Sequence, residues 1–306
     1  MSLFIRKAIT FFSNKQNNIL NYKKLDFKKS IRIKNCPKTE IENIILTTYF
    51  TTKKDPQRGV PTEKNNFSYI EDFYKSVLEN NLYAVIFYDD LDEEFIRKYT
   101  CKNISFIQCT LGNYSLNDER FYIYYEFLKN NKKIKKIIFC DVNDVTLEKR
   151  TVFEFIKKNK FYIGRDEDGL IYRNHWLKNK VHILPEELQK KIPKSFYYMP
   201  VVNAGVIAGD STRIMEFLET ITTLFDRINN DENNNMACTN IVFYDLYWKE
   251  YMNSLKFKIL SFRGKDFYIK LETKRQIKNK YFNIGYPLTT RFKKFENGTK
   301  AYIKHK

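Results

Sequence analysis

Lys132-Lys133-Ile134-Lys135-Lys136-Ile137-Ile138-Phe139-Cys140-Asp141-Val142-Asn143-Asp144-Val145 is the stretch on which the reading of the chain turns. An Ile-rich apolar run stops abruptly at acidic residues. That is the pattern of a buried strand with carboxylates at its C-terminal edge, where open α/β sheets bind ligands. Asp141 and Asn143 alternate along the extended chain, and Asp144 lies just beyond them. Hard oxygen donors set so closely suit Mg²⁺ or Mn²⁺, ions that keep several waters and complete their shell from substrate phosphates. A plain Asx turn ending a strand would use the same residues for local hydrogen bonds, so other segments must discriminate.

Outward from this run, short β-rich segments recur at Ile44 to Tyr49, Tyr83 to Tyr88, Ile104 to Gln108, Ile134 to Cys140, Phe161 to Gly164, Val201 to Ala208 and Phe257 to Ser261. Between them, Tyr69 to Leu78, Asp118 to Leu128 and Ser211 to Ile228 carry apolar residues at helical spacing, the last with Asp210 or Ser211 available as a cap. The alternation predicts an α/β sheet with helices on its faces. Neither an internal repeat nor a Pro/Gly/Ser-rich linker interrupts the pattern, so residues 43–306 read as one domain. Residues 1–42 read as a basic N-terminal arm packing on that domain, or as a basic amphipathic helix lying at a membrane surface.

The 306 residues are 43% hydrophobic and 16% aromatic, enough to fill a sizeable core. A formal charge of +18 attracts phosphates, nucleic acid or anionic headgroups without choosing among them. The five cysteines are odd in number, form no CxxC pair and sit mostly in apolar runs, as expected of a reducing compartment with neither disulfide framework nor zinc site. No run reaches the ~18 apolar residues of a membrane span, and the start lacks a signal-peptide pattern. A cytoplasmic protein is expected, with peripheral contact at a membrane surface left open.

Two further segments bear on chemistry. In Met199-Pro200-Val201-Val202-Asn203-Ala204-Gly205-Val206-Ile207-Ala208-Gly209-Asp210, small residues after Asn203 admit a ligand close to the backbone, and the Asn203 amide can donate and accept towards sugar hydroxyls. A strand with a glycine bulge before a capped helix has the same composition. The ending Ala301-Tyr302-Ile303-Lys304-His305-Lys306 sets an imidazole between two ammonium groups, suited to a metal and a phosphate. The bland alternative is a frayed basic tail, and in either case the last three residues are expected to carry little stability.

Taken in order, the strand-terminal acidic cluster, the Asn-Ala-Gly strand and the Ile-x-His-Lys ending resemble the GT-A glycosyltransferases, over roughly residues 43–306. The resemblance implies a single GT-A-like domain with a mixed central sheet. It implies Asp141, Asn143 and Asp144 as ligands of the metal bridging a donor diphosphate, with Asn143 departing from DxD at its middle acidic position. It implies His305 completing the metal site, Lys306 or Lys304 on phosphate, and Asn203, Ala204 and Gly205 lining the sugar pocket. Asp141, Asp144 and His305 would then be the catalytic set.

The same family places its nucleotide base after the first strand, which implicates Thr48 and Arg58 in the segment Thr47 to Gly59. Asp118 is expected to cap the helix opening at Asn117-Asp118-Glu119-Arg120-Phe121, with Arg120 reaching ribose or diphosphate, and both count as donor-binding residues. Asn234 to Asn240 stands where relatives carry an acidic acceptor loop, but Asn235 is no carboxylate. The implied cofactors are Mn²⁺ or Mg²⁺ with a nucleoside diphosphate sugar as donor, and the acceptor is a glycan, glycolipid or glycoprotein. Two rival classes share some features: a nucleic-acid-binding protein, which the charge and aromatics would suit although no RNP, KH or zinc-finger pattern occurs, and a metal-dependent nucleotidyl- or phosphotransferase, which would also use Asp141 and Asp144.

Overall fold

Strand β1 (Asn43–Tyr49) explains why the apolar runs are continuous rather than alternating. Its Ile44 and Leu46 belong to one hydrophobic core, while Ile45 and Tyr49 belong to a second. Strand β4 (Lys136–Cys140) divides the same way, Ile137 and Phe139 against Ile138 and Cys140. Side chains alternate across a strand, so a strand covered on both faces must be apolar throughout.

The structure is a computed structural model describing residues 19–20, 31–254, 276–290 and 300–305. The expected strand at Phe257 to Ser261, most of the N-terminal arm and Lys306 lie outside the described residues. With β2 (Ala84–Tyr88), β3 (Ile104–Gln108), β6 (Phe161–Leu170), β7 (Pro200–Asp210), β8 (Gln276–Lys278) and β9 (Phe282–Gly285), the main sheet runs in the order β3-β2-β1-β4-β7-β6-β9-β8. The first four strands are mutually parallel, and β7 then enters antiparallel beside β4. The fold is thus α/β with a mixed central sheet flanked by helices, as expected.

One face carries α1 (Phe67–Glu79) and α2 (Glu93–Tyr99), whose Ile70, Phe73, Val77 and Phe95 join the second core. The other carries α3 (Leu116–Asn130), α7 (Ser211–Ile228) and α8 (Asn235–Phe243). Between these, α4 (Val152–Phe155), α5 (His175–His182) and α6 (Glu186–Gln189) are short. The cap of α7 is Asp210, accepting from Arg213 N–H at 3.1 Å. The cap of α3 is Ser115, accepting from Asp118 N–H at 3.3 Å, so the expectation that Asp118 caps this helix is corrected. Asp118 sits within the first turn, where its own backbone N–H is the group being capped.

A second, three-stranded sheet joins β5 (Val145–Leu147), β10 (Thr289–Thr290) and β11 (Ile303–His305). His305 pairs with Val145, and Lys304 with both Thr146 and Thr290. The frayed-tail alternative is therefore overturned for residues 303–305: Ile303 is fully buried and His305 nearly so. The sequence hid this because a three-residue strand in a polar ending has too few positions to show a period.

Candidate functional site

Strands β1 and β4 are neighbours, yet the chain continues from β1 outward through β2 and β3 before returning on the other side to β4. Ligands of open α/β sheets bind at such a reversal of strand order, beyond the C-terminal strand edges. A polar pocket of about 190 Å³ opens there, with Thr48 and Phe50 from β1 and its continuation, and Asp141, Val142, Asn143 and Asp144 beyond β4. Arg120 from α3, Asn203, Ala204 and Gly205 from β7, Met236 from α8 and His305 from β11 complete much of its wall.

The backbone brings the acidic cluster to β7: Asp141 N–H donates to Gly205 O at 3.0 Å. Opposite β6, Ile163 pairs with Ile207 but Gly164 pairs with Asn203, so Ala204, Gly205 and Val206 bulge from the ladder. Asn203 holds the bulge, its Oδ1 accepting from Gly205 N–H at 2.6 Å. That bond uses one lone pair of the Asn203 side-chain oxygen, and its NH₂ group remains the donor for a ligand. Both readings of this segment, glycine bulge and pocket wall, are present together.

His305 Nε2 lies 3.8 Å from Asp141 Oδ2 and 3.5 Å from Asp144 Oδ2. One ligand atom from each of Asp141, Asp144 and His305 falls within 4.8 Å of the others. Two features fit a cation among them. Asp144 Oδ1 is buried with no hydrogen-bond partner among the described residues, and a buried carboxylate oxygen left so is costly. In addition, a Cβ on Gly205 would lie 2.5 Å from Asp141 Oδ2 and 2.5 Å from His305 Cε1. A side chain at position 205 would fill the space where these groups converge.

Arg120 pairs with Asp141 Oδ1 and donates from its other terminal nitrogen to Ala204 O at 3.1 Å. Burial opposes the guanidinium charge, but the Asp141 carboxylate outweighs it and the pKa is raised. Arg120 therefore carries a fixed positive charge into the pocket. Asp118 does not line the pocket and is fully buried. Its Oδ2 accepts from Asn234 N–H at 3.2 Å, tying α3 to the loop before α8. Burial pushes its carboxyl up to about 7. The expectation of Asp118 as a donor-binding residue is corrected accordingly: it supports the segment that presents Asn235 and Met236.

Arg58 does reach the pocket, its guanidinium 5.5 Å from the Tyr69 ring centroid and 3.9 Å from Asp55 Oδ2. Tyr69, Asp55 and Thr62 also line this end. Sequence reasoning passed over Tyr69 because its helical spacing reads as core, and indeed Tyr49 packs 5.1 Å from it. A wider groove of about 620 Å³ against α3 and α7, lined by Leu128, Met215 and Leu246, assembles no comparable set of ligating groups among the described residues.

No protein-family model matches the chain, and no curated protein matches it. Among solved structures, it is similar to the galactosyltransferase LgtC in complex with donor and acceptor sugar analogues, at 12% identity and TM-score 0.43, covering 67% of this chain and 70% of that one. It is similar also to an active-site mutant of LgtC, at 11% identity and TM-score 0.41 over the same shares. Likeness at that level carries no argument about chemistry, which rests on the pocket.

Proposed function

We propose that the chain is a metal-dependent glycosyltransferase that moves a sugar from a nucleoside diphosphate sugar to an acceptor hydroxyl. The observation that carries this reading is the convergence of Asp141, Asp144 and His305 around Gly205, beside the buried cation of Arg120. Carboxylates and an imidazole suit Mn²⁺ or Mg²⁺ at a diphosphate. When bound, the ion supplies Lewis-acid stabilisation of the departing diphosphate.

In the reaction, the bond between the anomeric carbon and the diphosphate oxygen breaks with its electron pair staying on the diphosphate, a bond to the acceptor oxygen forms, and the hydroxyl proton passes to the released diphosphate or to water. Asp141, Asp144 and His305 would hold the cation, and Arg120 stands where leaving-group charge develops. Asn203 NH₂ and the open backbone at Ala204 and Gly205 face the sugar. The enclosed volume of about 190 Å³ is smaller than a whole nucleotide sugar requires. We assign it to the diphosphate and sugar, with the base extending over Thr48, Arg58 and Tyr69.

The test is donor hydrolysis across a panel of uridine, guanosine and cytidine diphosphate sugars with Mn²⁺, with products identified. Release of free sugar and nucleoside diphosphate, lost on chelation, supports the reading. Inorganic phosphate or nucleoside monophosphate as the product would favour a phospho- or nucleotidyltransferase instead.

A further inference from the structure

A second cleft, of about 980 Å³, adjoins the pocket and shares Gln57 and Leu116 with its wall. We propose that this cleft is the acceptor subsite, that its ligand is a saccharide of more than one ring, and that Trp176 is its stacking platform. The assignment rests on the transfer reaction proposed above.

The chain has two tryptophans. Trp248 is fully buried in the core, whereas Trp176, near the start of α5, is 49% exposed and lines the cleft. An indole left in water loses the burial of one of the largest apolar side chains, so its position on a cleft wall calls for a partner. The C–H face of a pyranose is such a partner, because it covers the ring while its equatorial hydroxyls point sideways to polar groups.

Those groups are present. The loop before α8 contributes Asp231, Glu232 and Asn233, and Asn233 Oδ1 is buried with no partner among the described residues. That oxygen has no surface open to solvent, so a saccharide hydroxyl reaches it as the loop shifts, and then satisfies an acceptor otherwise left dry. Lys180, one helical turn beyond Trp176, lies 3.7 Å from Glu232 and ties the platform to this loop. On the opposite wall, Lys53 donates to Gly112 O and Tyr114 O, both at 2.5 Å, which holds the loop before α3 in place. Lys53 is thus committed to structure, while Lys54 and Asp231 are exposed on the rim.

The volume is at the upper end of the roughly 300–1,000 Å³ usual for small-molecule sites, more than one sugar ring fills. Its Asn233 end leads directly to Asn235 and Met236, which line the pocket where Met236 Sδ accepts from Ala204 N–H at 3.4 Å, and this end sets the acceptor beside the donor sugar, as a transferase needs two substrates in contact.

The experiment uses the exposure difference between the two tryptophans. Acrylamide quenching of the intact protein reports mainly on Trp176, and lactose, cellobiose, maltotriose and N,N′-diacetylchitobiose are titrated as probes. Protection from quenching by at least one of them is expected. In Trp176→Phe that probe, followed by calorimetry, should bind within about threefold, whereas Trp176→Ala and Asn233→Ala should weaken it tenfold or more. Binding of nucleoside diphosphate with Mn²⁺, followed by thermal shift, should not change in any of the three. Absence of protection by every probe, or wild-type affinity in Trp176→Ala, would overturn the subsite. Failure of nucleoside diphosphate to bind the wild type would instead remove the transferase reading, and the subsite with it.

Discussion

Arg120 and Asp141 form an ion pair in which the cation is 7% exposed and the carboxylate 31%. A proposed metal ligand thus shares its carboxylate with a buried guanidinium that also holds Ala204 O. The carboxylate divides its two oxygens, Oδ1 to Arg120 and Oδ2 towards His305 Nε2. Replacement of Arg120 by Lys should lower turnover about 100-fold, because a point charge cannot serve Asp141 and Ala204 together. Steady-state donor hydrolysis checks this, and near-normal turnover would remove Arg120 from the proposed machinery.

Gly205→Ala tests the space between the ligands. The added methyl would meet Asp141 Oδ2 and His305 at 2.5 Å, so one of them must move. The rise in thermal midpoint on adding Mn²⁺, a direct measure of binding to the native state, should shrink or vanish. An undiminished rise would place the ion elsewhere.

For Asp144→Ala the expected signs for stability and activity are opposite. With no partner on Oδ1 among the described residues, truncation gives up only the 3.5 Å approach of Oδ2 to His305 Nε2, and it relieves the larger repulsion with Asp141. In EDTA the variant should melt at or above the wild-type temperature, yet show no Mn²⁺-dependent turnover. Asp141→Ala should also lose turnover, but should melt lower because Arg120 is left buried without its counter-charge. Melting curves with and without chelator separate the two.

His305→Ala and deletion of residues 304–306 should differ. The point change removes a donor and is expected to cost tenfold or more in rate, about 1.4 kcal/mol in the barrier. The deletion also removes most of β11, so it should lower the thermal midpoint, contrary to what a tail would do. Equal midpoints for the two variants would contradict the strand pairing.

Asp118 predicts a pH dependence. Its folded pKa of about 7 exceeds the ordinary value, so between these limits the native state holds a proton that the unfolded state has released. Stability from this group therefore falls as pH rises from about 4 to about 7 and is level above that. Asp118→Asn keeps an acceptor for Asn234 N–H and should remove this part of the slope, raising the midpoint most at alkaline pH. Parallel midpoint-against-pH curves for variant and wild type would refute the assignment.

How far the site could be read in advance depended on the length of each signal. The Ile134 to Cys140 run, ending in Asp141, is long enough to announce a strand edge, and the 18-residue helix α7 matches its expected span. Asn203 to Gly205 were legible as a place of close approach, though the bulge that causes it comes from a register change against β6 invisible in one strand alone. Asp118 misled because Asp and Ser are both good caps, and only the backbone turn decides which residue stands at the boundary. Tyr69 escaped because an aromatic at helical spacing is counted as core until its neighbours are known, and Trp176 because its helix α5 is too short to show a period.

The pairing of β11 with β5 joins His305 to Val145 across more than half of the chain. Contacts of such long sequence separation form late, since the closure entropy of the intervening loop must be overcome first. The parallel strands β1 to β4 pair over shorter separations, the longest joining Asn43 to Lys136, and can form before it. Refolding should therefore proceed in two observable stages, with secondary structure recovered before the capacity to take up Mn²⁺. On the proposed metal reading, uptake of the ion would be a clock for the last event of folding.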